Sequence, residues 1–331
     1  MNFNFYRWAT ICLVCSVFLF KTVGIAKAQS ADSQYPVRSI KMIVPFAPGG
    51  AMDVFARVFT KYMSSKLGQT VFIENKAGAG GNIGMGMAAK APADGYTILL
   101  VSNSIVINPS LYASVPYDAK RSFAPIVNLV GAPTLLIANI KSEHRTVRQL
   151  VQAMKAKPGV FNYTSSGIGT SQHLAGELFS QSTGASWTHI PFNGAGPSVA
   201  AVVGNEVEYG FSSLPAASPF IKSGQIRALA VTTSSRFPEM SGVPTFVEEG
   251  YPEIVVEYFQ ALLAPAGTPP QIVARISEVS NDILKMPEVS KRLIEMGFTI
   301  IGGTPNDFED QIDKELIKWK KVVQASGAKA E

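Results

Sequence analysis

Apolar and polar positions alternate along the chain in two periods, a short one typical of buried strands and a longer one typical of amphipathic helices. The first strand-like run covers 40–45, and apolar side chains then recur at helical spacing over 54–63 up to a stop at Leu67-Gly68. Strands at 71–74 and 97–101 enclose a helix of small residues at 82–89. Strands and helices in this order, with short links, predict an α/β fold with helices on both faces of a parallel sheet.

The middle of the chain continues in the same way. Its predicted elements are a strand at 134–138, a helix at 147–156, a strand at 161–164, a helix at 171–182, a strand at 187–190 and, after further short segments at 197–203, 207–211 and 216–223, a strand at 227–233. The last third is predicted to be mostly helical, because Thr268 and Thr304 each resemble a helix cap followed by proline. The last helix has an apolar face from Phe308 to Val323.

The first 28 residues have the pattern of a secretory signal peptide. Arg7 precedes an apolar run over 9–20, and Ala26-Lys27-Ala28 supplies the small-x-small cleavage pattern. The apolar run is shorter than the about 20 residues of a membrane span, although an uncleaved anchor stays as the alternative. We predict cleavage after Ala28 and a periplasmic location.

Cleavage changes the composition on which other interpretations depend. The chain of 331 residues carries 29 Lys and Arg against 24 Asp and Glu, and its pI near 9.1 first suggests a nucleic-acid partner. Three of the basic residues and both cysteines lie in the predicted signal peptide, so the mature chain has 26 basic residues against 24 acidic ones. This near-neutral balance predicts no nucleic-acid partner, and the length predicts about two domains.

Small polar loops follow the predicted strands, at 45–53, 78–84, 165–173 and 191–196. In the first of them, glycines allow close backbone approach and a helix N-terminus presents free N–H groups, which together suit an anion. The alternative is an ordinary strand–helix turn in which Asp53 completes a cap. The glycine, serine, threonine and asparagine of these loops favour recognition over catalysis.

Enzyme motifs are incomplete. The glycines of 78–84 depart from the dinucleotide-binding pattern and follow the second strand. Ser171 and His173 invite a hydrolase interpretation, with Ser165 as another nucleophile, but a G-x-S-x-G motif is missing. The three histidines lack zinc spacing. We therefore predict a binding protein that is not an enzyme, with no catalytic residue, no metal and no cofactor.

Several long motifs stand in order along the mature chain. They are Tyr35-Pro36, Ile43-Val-Pro-Phe-Ala-Pro-Gly-Gly50 with Asp53, Ile73-Glu-Asn-Lys-Ala-Gly-Ala-Gly-Gly-Asn-Ile-Gly84, Asp94-Gly-Tyr-Thr97, Asn108-Pro-Ser-Leu-Tyr112, Tyr163-Thr-Ser-Ser-Gly-Ile-Gly-Thr170 with His173-Leu-Ala-Gly-Glu-Leu178, and Leu262-Leu-Ala-Pro-Ala-Gly-Thr-Pro269. Together these motifs resemble one family, the tripartite tricarboxylate transporter substrate-binding proteins, also called the Bug or TctC family.

The resemblance implies a two-lobed periplasmic binding protein of type II (cluster E), with two crossover strands near 123–130 and 227–233. One lobe would combine 29–127 with 232–331, and the other would be 128–231. It also implies a small carboxylate as ligand (a di- or tricarboxylate, an acidic amino acid or an aromatic acid) and membrane permease subunits as partners. A periplasmic sensor that presents its ligand to a signalling receptor is the alternative.

The resemblance places ligand-binding residues in both lobes. They are Ala47, Pro48, Gly49, Gly50, Asp53, Ser102 and Ser104 in the first, and Ser165, Ser166, Thr170, Ser171, His173, Asn193 and Ser212 in the second. Phe192-Asn193 stands where many relatives have tyrosine and lysine, and Ser212-Ser213 where many have an acid and asparagine. These departures leave the identity of the ligand open.

Overall fold

The computed structural model describes residues 35–330, so the signal peptide predicted over 1–28 lies outside the described residues. The strands are β1 Ile40–Val44, β2 Val71–Asn75, β3 Thr97–Val101, β4 Phe123–Asn139, β5 Asn162–Ser165, β6 Thr188–Pro191, β7 Tyr209–Ser213, β8 Ile226–Val231, β9 Glu257–Pro265 and β10 Thr299–Ile300. The α-helices are α1 Ala51–Leu67, α2 Asn82–Ala89, α3 Ser104–Leu111, α4 Val147–Ala156, α5 Ser171–Thr183, α6 Ala195–Val203, α7 Leu214–Lys222, α8 Pro270–Lys285, α9 Pro287–Glu295 and α10 Pro305–Ser326.

Most predicted elements are confirmed, and the bounds of α2, α4 and β3 match residue for residue. The predicted cap at Thr304 is confirmed, because its hydroxyl accepts from the backbone N–H of Asp307 at 3.2 Å. The predicted cap at Thr268 is wrong. The Thr268 hydroxyl donates to the carbonyl of Pro265 at 2.8 Å, and Pro269 occupies the N-cap position of α8.

The strands form one mixed sheet in the order β2-β1-β3-β9-β4-β7-β5-β6, with β8 and β10 also paired to β4. The predicted α/β class is confirmed, and the pairs among β1, β2 and β3 and among β5, β6 and β7 are parallel. The parallel arrangement predicted from the first three strands is thus confirmed, but the sheet as a whole is mixed, because β9 runs antiparallel to β3 and β4, and β4 runs antiparallel to β7 and β8.

The long strand β4 joins the two parallel groups. Its first part, up to Pro133, pairs with β9, and its last part, from Thr134, pairs with β7 and β8. The chain returns beside this changeover, where the Thr232 N–H donates to the Thr134 carbonyl at 2.9 Å. The division into lobes at 127/128 and 231/232 stays a prediction.

A continuous apolar core lies against the sheet under helices α2, α3, α5 and α10. The predicted apolar face of α10 is confirmed, since Phe308, Trp319 and Val323 are buried in this core. A smaller apolar group packs α6 and α7 against β4 and β8. In the described part of the chain, no helix combines the length and the apolarity that crossing a bilayer requires.

Candidate ligand-binding site

Five helices begin around one cavity, each of them directly after a strand. They are α1, α3, α5, α6 and α7, which follow β1, β3, β5, β6 and β7. The residues that line the cavity, called the inner cavity below, are Phe46, Ala47, Gly50, Ala51, Met52, Ser102, Ser166, Thr170, Gln172, Ala195, Ser213 and Tyr258. The carboxyl ends of strands are the edge at which open α/β sheets bind ligands.

The helix N-termini make the inner cavity electropositive without a cationic side chain. The first turn of a helix has unpaired N–H groups and a positive dipole end. No side chain caps the first turn of α1, α3, α6 or α7, whereas Thr170 caps α5. Among the described residues that line this cavity there is no Lys, Arg, His, Asp or Glu. The arrangement suits an anion held by amides and hydroxyls.

Two buried serine hydroxyls, neither of them paired within the described part of the chain, indicate that the ligand of the inner cavity is polar. The side chains of Ser166 and Ser213 are 7% and 1% exposed, and neither Oγ has a hydrogen-bond partner among the described residues. Buried hydroxyls are normally paired, because an unpaired one loses its bonds to water without replacement. Tyr258 adds a third hydroxyl, and burial raises its pKa well above the usual range, so it stays a protonated donor.

The Asp53 side chain stabilises the turn before α1. The Asp53 carboxylate accepts from the backbone N–H of Gly49 at 3.0 Å, from Arg57 at 2.8 Å and from the Asn75 side chain at 3.1 Å. Burial alone would raise the pKa of Asp53, but these hydrogen bonds and the Arg57 charge outweigh it and lower that pKa. Asp53 is therefore an ionised anchor for the turn, with its charge compensated by Arg57.

The turns before α1 and α6 touch through their backbones. The N–H of Ala47 donates to the carbonyl of Asn193 at 3.0 Å. A Cβ atom on Gly196 would lie 2.9 Å from the Gly49 carbonyl carbon, so only glycine permits this approach. The contact closes one side of the inner cavity.

The loop before α5 is braced by two histidines. Ser165 Oγ lies 2.7 Å from His189 Nε2, and the Gly169 N–H donates to His173 Nδ1 at 3.4 Å. The two imidazole rings stack at 4.4 Å. Burial lowers the pKa of His173 to about 3, with a smaller contribution from His189, and lowers the pKa of His189 to about 4. Both rings are neutral at pH 7 and serve as packing and hydrogen-bonding groups.

A second cavity, called the outer cavity, adjoins the inner one. Phe46 and Ser166 line both. The other residues lining the outer cavity are Gly78, Ala79, Gly80, Gly81, Tyr112, Gly167, Ile168, Pro191, Phe192 and Asn193. The hydroxyl of Tyr112 donates to the carbonyl of Ile168 at 3.3 Å, which joins the two walls.

The structure brings some of the predicted site residues together and separates others. Those lining the inner cavity are Ala47, Gly50, Ser102, Ser166 and Thr170, and Asn193 lines the outer one. Pro48 and Gly49 are exposed on the turn, and the Ser104 side chain is buried at the start of α3. Asp53, Ser165 and His173 form the internal bonds described above, so Ser165, which is 0% exposed, is shielded from solvent.

The two remaining predicted residues turn their hydroxyls to nearby protein atoms. The Ser171 hydroxyl lies 3.4 Å from the Gln172 side chain, and the Ser212 hydroxyl lies 3.4 Å from the Ser213 carbonyl. Their sequence neighbours Gln172 and Ser213 line the inner cavity instead. Alternation of side chains along β7 is a signal that separates Ser212 from Ser213. Tyr258 had no such signal, because β9 was not predicted as a strand.

The chain matches known proteins over nearly its whole length. The model of the "Tripartite tricarboxylate transporter family receptor" family matches residues 55–328. Protein BugT of Bordetella pertussis is 39% identical over 318 residues, which cover 96% of this chain and 97% of that protein.

Solved structures agree in fold. The periplasmic binding protein BugD superposes with a TM-score of 0.87 at 30% identity, over 90% of this chain and 100% of that chain. An R. palustris protein solved with adipate superposes with a TM-score of 0.86 at 32% identity, over 88% of this chain and 98% of that chain.

Proposed function

We propose that this chain, which belongs to the tripartite tricarboxylate transporter family of receptors, captures a small carboxylate in the inner cavity and delivers it to a permease of the tripartite tricarboxylate type. Members of the family are periplasmic solute-binding proteins and not enzymes, and the chain is accordingly a solute-binding receptor. The carboxylate as ligand and the permease as partner are what we propose for this chain. The adipate bound to a structural relative supports the choice of a carboxylate.

The convergence of five helix N-termini on one uncharged cavity carries the proposal. A carboxylate entering the cavity loses its hydration shell, which is costly unless protein donors replace the water. Uncapped N–H groups of α1 and α6 lie on one side, and the hydroxyls of Ser166 and Ser213 add donors from the α5 and α7 side. Hydrogen bonds to a charged acceptor are stronger than those between neutral groups. Together these donors favour an anion over a neutral solute.

The loops that meet at the cavity also suggest how the ligand is enclosed. The turns before α1 and α6 come from opposite sides of the β4 changeover, and their contact covers the cavity. We propose that the predicted lobes rotate about β4 and the return segment at Thr232. The contacts to the ligand and the backbone contact between the two turns would then form in the same movement. Small-angle X-ray scattering with and without a saturating carboxylate should show compaction, and unchanged scattering would contradict this closure.

Calorimetry on the mature chain, residues 29–331, tests the ligand class. Each acid in the series succinate, adipate and phenylacetate is paired with its amide, a neutral compound of nearly the same shape. The acids should bind and raise the Tm, because only a carboxylate engages the helix N-termini with a charge. Failure of every acid to bind, or equal binding of an acid and its amide, would overturn the proposal.

Delivery of the ligand to a permease is tested by uptake experiments in living cells. In a strain lacking this gene, uptake of the radiolabelled acid should fall and should return with the intact gene. Sequencing the N-terminus of the protein from the periplasmic fraction should begin at Gln29, because we propose cleavage after Ala28. Uptake that is unchanged in the deletion strain would contradict a transport role and favour a sensor.

A further inference from the structure

We infer from the two adjoining cavities that the ligand is an elongated carboxylic acid without an α-amino group, with its carboxylate in the inner cavity and its body in the outer cavity. The inference rests on the proposed carboxylate-binding function and narrows it. It excludes α-amino acids and leaves room for a polar group at the far end of the molecule.

The volumes of the two cavities indicate which cavity takes the carboxylate and which takes the rest of the ligand. Measured as the space open to the centre of a water molecule, the inner cavity has about 30 Å³ and the outer cavity about 170 Å³. One water needs roughly 10–15 Å³ on this measure. The inner cavity therefore accepts a group of two or three heavy atoms, the size of a carboxylate. In the inferred pose the rest of the ligand extends past Phe46 and Ser166, which line both cavities.

The walls of the outer cavity suit an uncharged body. Phe46, Ile168 and Phe192 supply apolar surface, and Tyr112 adds an aromatic ring. Among the described residues lining this cavity, none carries a charged side chain. Asn193 is exposed at the rim, so a polar group at the far end of the ligand would meet water and an amide there.

An α-amino group would lie beside the carboxylate, at the mouth of the inner cavity and close to the same helix N-termini. Helix N-termini repel a cation, and burying an ammonium without an anionic partner is costly. No acidic side chain lines this cavity among the described residues. Asp53 of α1 already accepts from Arg57, Gly49 and Asn75. The same donors that hold the carboxylate thus reject its α-ammonium neighbour.

Matched acids test the inference by calorimetry on the mature chain. The pairs are phenylacetate with 2-phenylglycine and hexanoate with 2-aminohexanoate, which differ only in the α-amino group, and 6-aminohexanoate moves that group to the far end. We expect at least a tenfold loss of affinity for each α-amino acid and less than a threefold change for 6-aminohexanoate. Acetate, which has no body, should bind more weakly than hexanoate. An α-amino acid that binds as tightly as its parent acid would overturn the inference.

Two tryptophan variants at exposed positions, one inside and one outside the outer cavity, test where the body of the ligand lies. Asn193→Trp fills the outer cavity and should weaken phenylacetate and hexanoate at least tenfold while acetate changes less than threefold. Asn306→Trp, at an exposed position of α10 that lines neither cavity, is the matched control and should leave all three affinities unchanged. Thermal unfolding checks that both variants fold, which we expect because the bond from Ala47 uses the backbone carbonyl of Asn193. Unchanged affinity for the long acids in Asn193→Trp would overturn the placement.

The outcomes separate this inference from the proposed function. If phenylacetate and hexanoate bind and their α-amino partners bind equally well, carboxylate capture stands and the inference fails. If none of the acids binds, both fail.

Discussion

The backbone N–H of Ala47 donates a 3.0 Å hydrogen bond to the carbonyl oxygen of Asn193, and this bond joins the turns that precede helices α1 and α6. No side chain takes part in it. Beside the bond, Gly196 approaches the Gly49 backbone more closely than a residue with a Cβ atom at position 196 would allow. The seal over the inner cavity is thus made of backbone, and its geometry depends on glycine.

Gly196→Ala should weaken carboxylate binding without unfolding the protein. The added Cβ would lie 2.9 Å from the Gly49 carbonyl carbon and 3.2 Å from the Gly50 nitrogen, so the two turns must separate. Gly204→Ala, at the other end of α6, is the control, because its Cβ would come no closer than 3.4 Å to other atoms. Calorimetry should show at least a tenfold loss only in Gly196→Ala. Equal affinities in the two variants would argue against the seal.

Ser166→Ala and Ser213→Ala should each lower affinity roughly tenfold, about 1.4 kcal/mol, and leave the free energy of unfolding nearly unchanged. Their hydroxyls have no partner among the described residues, so only the ligand loses a hydrogen bond. Ser198→Ala should show the reverse pattern, because the buried Ser198 hydroxyl donates to Thr164 at 2.9 Å. Titration calorimetry and urea unfolding together measure both effects. A stability loss without an affinity loss at Ser166 or Ser213 would remove that serine from the site.

Asp53→Asn should destabilise the protein by about 1–3 kcal/mol and weaken ligand binding, since the turn loses its charged acceptor and Arg57 loses its partner. Asp94→Asn is the matched control. Asp94 also pairs with an arginine, Arg38, at 2.8 Å, but both side chains are exposed, so the loss should stay below about 1 kcal/mol. Urea unfolding at pH 7 compares the two. Similar losses in both variants would contradict the anchoring role of Asp53.

Lowering the pH should destabilise the folded protein through His173 and His189. Their pKa values are about 3 and about 4 in the folded state against 6.5 for an ordinary histidine, so the unfolded chain binds more protons between these limits. The contribution of these two histidines to stability is therefore complete above pH 6.5, and it is lost progressively as the pH drops toward 4.

His173→Asn and His189→Gln keep an acceptor near Nδ1 and Nε2 but do not titrate, and together they should reduce this slope. Urea unfolding at pH 7.5, 5.5 and 4.5 measures it for the wild type and the double variant. The same slope in both proteins would show that the histidines do not carry the effect.

The local pattern of the chain predicted most of the elements and the character of the site. Helix α2 and strand β3 have the predicted bounds, because periodicity, small residues and glycine stops are local signals. The lack of Lys and Arg in the loops at the ends of the strands is also visible in the sequence, and five of the predicted residues line the inner cavity.

The pairing of strands that are distant in the sequence could not be predicted from these local patterns. Strand β9 and its antiparallel pairing with β3 and β4 were not predicted, since periodicity says which face of a strand is buried and nothing about its neighbour or direction. Alternation along β7 places Ser212 and Ser213 on opposite faces, but only the folded sheet decides which face borders the inner cavity.

By itself, then, the sequence determined that this protein has strand–helix turns rich in glycine and hydroxyls, without Lys or Arg in them. Only the tertiary structure decided that five of those turns meet, that Gly49 lies against Gly196, and that His173 stacks on His189. The physical reason is that an N–H group, a hydroxyl or an imidazole acquires its partner, its burial and its pKa from segments far away in the chain.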